Sequence, residues 1–578
     1  MAEFQMRHMK WWGWGDEEVT FSDTDKPKLW PYLKSELGME DGPRTSPISF
    51  EDINLPPLKE NAPFIGVLES ALGQDQISSS KKDRLVHAAG KSFRDLLRLR
   101  RGQVDYAPDL VVYPSSEDDV VAIIKAASEH DVVIIPFGGG TNIAGCLEPK
   151  DREGRFIVSL DMWRMNRVLS VDKKSLVARI QAGVYGPFME EQLEQEGVTL
   201  GHFPDSFVHS TLGGWVATRS AGMQSDKYGK IEDMVIALRM VTPSGTIETR
   251  TVPNTSNGLD VRSLCIGSEG ILGVITEVTV QVHRLPEYKL FEGWLFPDFE
   301  SGTKAIYECM RSGVMPVITR LNDPGKTALS AAFKKPEAGL KAKISALVKW
   351  YLGAIKGFDF SQCCMMTTAY EGDYDTFHMQ RRESSHVFRK HGGFCLGEGP
   401  GKSFQEAKYD FPHVRDYLMD RGVMGDVSET STTWDNLLNL YTKTLSNIKQ
   451  AIGDTGVDPW VGCHISHNYH TGASLYFTFG CQQLEGRELE QYLYVKKAAE
   501  DSFMENGGTV SHHHAVGTEH LPWIEQDLSP AGVKAVKAIK NGLDPNGVMN
   551  PGKIIPGDNP LSEWGITEEA IQSFGKAH

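Results

Sequence analysis

The run Val132-Val133-Ile134-Ile135-Pro136-Phe137-Gly138-Gly139-Gly140-Thr141-Asn142 constrains this chain more than any other stretch. Its β-branched start reads as a buried strand that Pro136 closes. Glycines have no Cβ, so successive N–H groups can turn to one side and the backbone can approach a ligand closely. A concave row of amides favours an anion, typically a phosphate or pyrophosphate. Taken alone, the pattern better suits a plain glycine turn after a strand, since glycine is the default residue of tight turns. It is neither a G-x-G-x-x-G fingerprint nor a P-loop, because no Gly-Lys-Ser/Thr follows.

The neighbouring sequence predicts an α/β unit around this loop. Leu110–Tyr113 reads as a strand ended by Pro114. Ser115 or Ser116 can cap a helix reaching His130, with Glu117, Asp118 and Asp119 in its first turn. Strand, helix, strand and glycine loop put a phosphate site at a strand's C-terminal end. Ile157–Leu160, Ser175–Ala182 and Met234–Val241 continue as strands, and Pro243-Ser244-Gly245 forms a tight turn. Two further glycine-rich pieces follow. One is His209–Trp215 with Ser220–Met223 and Tyr228-Gly229; the other is Gly267–Glu277. Three such pieces close together suggest a long ligand lying on backbone.

Length and composition set the outer bounds. A chain of 578 residues allows about three or four domains. With 40% hydrophobic and 24% charged residues it is an ordinary globular protein. The net charge of −16 argues against a general nucleic-acid binder. Eight cysteines without a C-x-x-C spacing suit reduced thiols in an intracellular protein. No apolar signal-peptide core and no run of ~18 apolar residues is seen. Lys576-Ala577-His578 is not a Ser-Lys-Leu type peroxisomal address. Near the start, Trp11, Trp12 and Trp14 predict an N-terminal arm docked on the body. Lys82–Arg101 reads as one helix whose Arg94, Arg98, Arg100 and Arg101 form a solvated basic end.

Several of these pieces carry a family likeness. Pro136–Asn142, the Gly222 and Gly229 segment, Ser268–Gly273, and Leu543-Asp544-Pro545-Asn546-Gly547 before Asn550-Pro551-Gly552-Lys553 resemble the FAD-binding fold of the vanillyl-alcohol oxidase superfamily. Gly201-His202-Phe203-Pro204-Asp205-Ser206, Ser210–Trp215, Glu429-Thr430-Ser431 with Trp434-Asp435, and Ser511-His512-His513-His514 resemble the alkyldihydroxyacetonephosphate synthase family within it. The likeness spans nearly the whole chain. It implies an α+β protein with a two-subdomain FAD-binding fold of the PCMH type, an α+β cap and a helical N-terminal region. The expected parts are an arm and helical region at 1–105, the FAD domain at 106–286, the cap at 287–505, and a C-terminal segment at 506–578 that returns the histidine triplet to the flavin.

The resemblance also implies noncovalent FAD. Its expected contacts are Pro136, Phe137, Gly138, Gly139, Gly140, Thr141, Asn142, His202, Asp205, Ser206, Ser210, Thr211, Gly214, Ala221, Gly222, Glu269, Gly270, Gly273, Val274 and Ile275. His202 could tether a flavin by its residue type, but the resemblance argues for no covalent link. The implied reaction replaces the acyl group of acyl-dihydroxyacetone phosphate with a long-chain fatty alcohol. It makes the ether bond of ether lipids through a covalent flavin N5 adduct, with no net redox change. The competing enzyme reading is an FAD-dependent 2-hydroxy-acid dehydrogenase or oxidase, which the Leu543–Lys553 tail suits equally. A lipid-binding scaffold with a vestigial fold is a third reading, against which the intact glycine pieces count.

Candidate catalytic residues follow from residue type and resemblance together. His512, His513 and His514 are adjacent, so their side chains point different ways and do not easily share one metal ion. Proton transfer is the more natural role, and no metal is expected. Arg415 suits either a bidentate phosphate clamp or an ordinary pair with Asp416; the resemblance makes it the phosphate-side arginine. The family has an aromatic residue three positions earlier, where this chain has Pro412, with Phe411 one further back. Tyr476 lies on an alternating strand and reads as a core tyrosine, which the resemblance turns into a general acid/base. Arg320 matches an arginine near the flavin that could stabilise negative charge there.

In the cap, Leu340, Ile344, Leu347, Val348, Tyr351 and Ile355 share one helical face within Pro336–Phe358. Lys341, Lys343, Lys349, Lys356 and Trp350 accompany them. This suits a packed surface helix or one resting at a lipid interface. A long-chain substrate favours the membrane or tunnel mouth. The resemblance further implies a homodimer that is peripherally membrane-associated, peroxisomal in eukaryotes and otherwise cytoplasmic.

Overall fold

The structure is a computed structural model that describes residues 10–575, apart from 20, 43, 152 and 335–338. Its frame, among the described residues, is three main sheets and one short two-stranded pair.

The first sheet is built around the glycine-loop strand. Its order is Ile77–Ser78, Leu110–Val112, Ile157–Asp161, Val133–Phe137, and the last three run parallel. Helix Glu117–Glu129 crosses between two of them, and Ser116 caps it by accepting the Asp119 N–H. The apolar run of the strand reflects cover on both faces. Ile134 packs with Val120, Ile124 and Val158 on one side; Val133 and Ile135 pack with Leu85 and Ala88 on the other. Pro136 does not close the strand, which continues to Phe137. The strand ends the order of its sheet, where a missing N–H costs no ladder bond.

The second sheet is antiparallel, ordered Val168–Asp172, Val177–Gln181, Val274–Gln281, Val235–Thr242, Gly245–Glu248. The third, also antiparallel, has seven strands in the order Phe394–Gly397, Tyr288–Phe296, Cys364–Gly372, Ile318–Asn322, Trp460–Asn468, Gly472–Gln482, Val423–Thr433. Helices Leu437–Asp454 and Glu488–Glu505 cover one face of this cap sheet. Strand side chains alternate between faces. Leu475, Phe477 and Phe479 therefore enter that apolar layer, while Tyr476 and Thr478 face the opposite way, into a cavity. A bulge between Ile465 and His467 breaks the alternation of the adjoining strand. It brings His464, Ser466 and His467 all to the cavity side.

The N-terminal arm docks as expected. Trp11 and Trp14 are buried, and Lys10 Nζ lies 3.2 Å from Asp416 in the cap. The single helix expected over Lys82–Arg101 is instead two, Lys81–Val86 and Phe93–Arg100, the second capped by a Ser92/Asp95 box. Of the four arginines at its end only Arg101, paired with Glu488, is exposed; the others do not form a solvated face. Arg94 reaches Glu519 at 2.9 Å, Arg98 reaches Glu148 at 2.8 Å, and Arg100 pairs with Asp420. These acids are remote in sequence, so local charge spacing could not reveal them. All eight cysteines are free, as the spacing suggested.

Helix Gly339–Ala354 occupies most of the expected cap segment; the side chains of Leu340, Lys341 and Ile344 lie outside the described set. Leu352 is its anchor, packed with Leu295 and Cys363. Leu347, Trp350 and Ile355 are at least 60% exposed, so much of the apolar face looks outward. No helix among the described residues is long and apolar enough to cross a membrane. Lys576-Ala577-His578 lies outside the described residues.

Candidate active site

One continuous cavity joins the glycine loops, the underside of the cap sheet and the N-terminal arm. Its floor is a furrow of backbone. At Gly139 a Cβ would fall 1.8 Å from the His209 carbonyl oxygen, so no side chain fits where the loop meets the Ser210 segment. At Gly140 the loop takes φ +68°, a conformation that favours glycine. Glu269 knits the furrow to the C-terminal segment, accepting the Val516 and Gly517 N–H groups at 2.7 Å each. The Ser268 hydroxyl is buried there with no hydrogen-bond partner among the described residues. Exposed loop amides, absent side chains and an orphaned hydroxyl suit the diphosphate of a dinucleotide.

Eighteen of the twenty residues expected to hold that group line the cavity. They are Pro136, Phe137, Gly138, Gly139, Gly140, Thr141, Asn142, Asp205, Ser206, Ser210, Thr211, Gly214, Ala221, Glu269, Gly270, Gly273, Val274 and Ile275. Two do not. His202 lies behind the wall, its Nε2 3.2 Å from Ser220 Oγ and its ring against Trp215. Burial pulls its pKa down to about 3. Gly222 also sits behind the surface, where a Cβ would stand 2.7 Å from Phe203 N. Its part is to let two chain segments touch.

The chemistry-bearing side chains converge above the furrow. Tyr476, His513, His514 and Arg320 line the cavity together with His464 and His467. The Tyr476 ring lies 5.9 Å from His513, 5.3 Å from His514 and 4.8 Å from His464. Its hydroxyl has no hydrogen-bond partner among the described residues, and burial, followed by the Asp205 charge, raises its pKa. Burial lowers His514 and His464 well below the usual imidazole range, with further repulsion from His513 and Arg320 respectively. Both are neutral at neutral pH. Arg320 has no ion-pair partner among the described residues and lies 6.0 Å from the Phe404 ring.

His512 is the exception in the triplet. It turns from the cavity and pairs its Nε2 with the Tyr469 hydroxyl at 2.6 Å. With its ring held against Tyr469 and His467, it leaves two of the three histidines facing the furrow.

Arg415 lines the cavity but does not pair with Asp416. It donates to Asp426 at 2.8 Å and to the Lys91 carbonyl at 2.5 Å, while Asp416 is taken by Lys10 and the Trp14 N–H. Phe411 and Pro412 both face the cavity, so an aromatic wall is kept one position out of place.

Sequence reasoning missed four contributors. Glu429, only 2% exposed, accepts the Ser511 hydroxyl at 2.8 Å and the N–H groups of His512, His513 and His514 at 2.9–3.0 Å. Burial alone would raise its carboxyl; His513, by its charge and a hydrogen bond, leads the effects that hold it well below the usual range. The Glu429-Thr430-Ser431 likeness was its one signal. His464 and His467 depend on the strand bulge, which the sequence does not announce. Lys91 lines the cavity and donates to the Lys10 carbonyl at 2.7 Å; burial lowers its pKa to about 8.

Away from the polar centre the cavity becomes apolar. Leu29, Leu33 and Leu37 from the arm face Leu329, Phe333 and Trp460 from the cap.

Comparison with known proteins decides the family. Residues 108–250 match the FAD binding domain, and residues 285–554 match the C-terminal domain of FAD linked oxidases. The alkyldihydroxyacetonephosphate synthase of Dictyostelium discoideum is 40% identical over 573 residues, covering 95% of this chain and 94% of that protein. A solved alkyldihydroxyacetonephosphate synthase structure superposes with a TM-score of 0.82 at 38% identity, covering 95% of this chain and 99% of that one. The chain belongs to the alkyldihydroxyacetonephosphate synthase family. FAD is its cofactor. A solved p-cresol methylhydroxylase, 16% identical with a TM-score of 0.62, shares the fold over 86% of this chain. The α+β, PCMH-type architecture is thus shared well beyond the family.

Proposed function

We propose that this chain exchanges the acyl group of acyl-dihydroxyacetone phosphate for a long-chain fatty alcohol. The observation that carries the reading is the single cavity. It joins an anion-binding furrow, a centre of cations, histidines and a tyrosine, and an apolar tunnel. A substrate with a phosphate, a reactive carbon and a long tail needs those three surroundings in one place.

Atoms balance without an oxidant. The bond from C1 to the acyl oxygen breaks and a fatty acid leaves. A bond from C1 to the alcohol oxygen forms, and the alcohol's proton passes to a base. Bound FAD supplies the ring at which C1 changes partner. Arg415, with Lys91 beside it, would bind the phosphate. Tyr476 keeps its proton at neutral pH, because its pKa is raised, and can donate it. His514 is neutral and can accept one. Arg320, with no ion-pair partner among the described residues, offsets developing negative charge. His202 stands behind the wall, which favours a noncovalent flavin.

The outward face of Gly339–Ala354, with Leu347, Trp350 and Ile355 exposed beside Lys343 and Lys349, suits a peripheral contact with a lipid surface. A homodimer follows from family likeness alone and is checked by light scattering. The decisive assay gives FAD-loaded protein acyl-dihydroxyacetone phosphate and a labelled fatty alcohol, with the ether followed by mass spectrometry. No ether, together with flavin bleaching by lactate or glycolate under anaerobic conditions, would hand the case to a 2-hydroxy-acid enzyme.

A further inference from the structure

His467, His512 and His513 each hold a ring nitrogen within 4.8 Å of the other two. Two of the rings already have outer partners. His467 Nδ1 pairs with Ser225 Oγ, and His512 Nε2 pairs with the Tyr469 hydroxyl, each at 2.6 Å. His467 therefore keeps one ring nitrogen free. His512 presents its other nitrogen to His513, with Nδ1 to Nδ1 at 2.9 Å. The rings of His467 and His512 lie nearly parallel, at 22°, and both stand roughly edge-on to His513, at 80° and 82°. Two nitrogens on one tetrahedral zinc ion stand about 3.3 Å apart, given the usual Zn–N length. Small ring rotations bring this trio to that spacing. A fourth donor is within reach, because Glu429 Oε2 lies 3.3 Å from His513 Nδ1. Lys230 donates to the His512 carbonyl at 2.8 Å, and Glu232 offsets its charge at 3.0 Å.

We propose that His467, His512 and His513 form a binding site for a borderline divalent cation, zinc foremost, and that its occupancy stops acyl–alkyl exchange. Three imidazoles, two of them with their outer nitrogens hydrogen-bonded, form a ligand set that such ions prefer over magnesium or calcium. The ion takes ring lone pairs in the reaction centre, and His513 faces the cavity directly. Binding stands independently of the reaction; the inhibition rests on the exchange activity proposed above.

The test uses full-length, FAD-containing protein free of any polyhistidine tag. It is equilibrated with zinc chloride at neutral pH, desalted and assayed for metal by plasma mass spectrometry. Wild type should retain one zinc per chain, and H467A should lose it. S225A and Y469F leave all three ligands in place and should weaken zinc by about 10–100-fold. X-ray absorption of zinc-loaded wild type needs no variant, and should show three imidazole ligands. Exchange activity should fall as zinc is added and return with EDTA. Wild type without retained zinc, or with fewer than three imidazoles around it, overturns the site. Full exchange activity with zinc seated on three imidazoles overturns the inhibition. Zinc so seated in a protein that makes no ether even with EDTA supports the site and removes the reaction.

Discussion

At the scale of single residues, the site divides into groups that touch substrate and groups that hold them. Tyr476 is of the first kind. Tyr476→Phe removes only a hydroxyl that has no hydrogen-bond partner among the described residues, so the fold and the flavin absorbance should survive. Exchange should drop by about 10²–10⁴-fold, the usual worth of a positioned acid or base. Wild-type turnover in that variant would remove Tyr476 from the reaction. Glu429 is of the second kind. Its carboxylate gathers three consecutive N–H groups of the histidine loop. In Glu429→Gln one oxygen can still accept all three N–H groups, but those bonds lose their charged acceptor and an NH₂ replaces the second contact to the His512 N–H, at a cost of about 1–3 kcal/mol. Thermal melts should show the loss, and exchange should fall without loss of FAD. An unshifted melt would mean that the loop is held by something else. Residue type alone pointed to the histidines and to the glycine loop. It did not point to Glu429, because a lone acid on a strand carries no mark of the loop it will anchor.

At the scale of elements, local patterns were legible and their interruptions were not. The Ser116 cap, the buried parallel strand and the alternation around Tyr476 all follow from spacing. The bulge that turns His464 and His467 inward, and the break between Lys81–Val86 and Phe93–Arg100, come from contacts between distant segments. Helix Gly186–Gln195 shows how one such contact supports the site. Its Glu190 accepts the Thr199 hydroxyl at 2.7 Å and the Leu200 N–H at 3.1 Å, holding the segment that leads to Asp205 and Ser206. Burial outweighs those bonds and raises the Glu190 pKa from 4.5 to about 7. A raised folded-state pKa adds stability that is complete below the unfolded value and is lost as pH rises through the folded one. The melting temperature of wild type relative to Glu190→Gln should therefore fall between about pH 4.5 and pH 7 and stay level above. A difference that does not change with pH would show that Glu190 is ionised throughout.

At the scale of the whole molecule, the flavin furrow and the apolar tunnel have different origins. The furrow is made of three glycine-rich pieces near one another in the chain, so its existence was readable. The tunnel is assembled from the arm, the Pro324–Ala332 helix and the cap sheet, and only the folded chain brings these together. In the arm helix Leu29–Glu36 and its C-cap, Leu29, Leu33 and Leu37 fall at i, i+4 and i+8 on one face. That face closes the tunnel against Trp460 and Phe333. The arm, which looked like a simple brace, thus sets how much tail the cavity accepts. Leu33→Trp fills part of that end and should cost about 1–3 kcal/mol of stability through overpacking. Its kinetic effect should depend on the alcohol: kcat/KM falls for long-chain alcohols and holds for short ones, whose tails stop before residue 33. Leu33→Ala should shift the preference the other way. An alcohol series run on both variants decides the matter, because equal losses at every length would mean that the tail leaves the centre by another route.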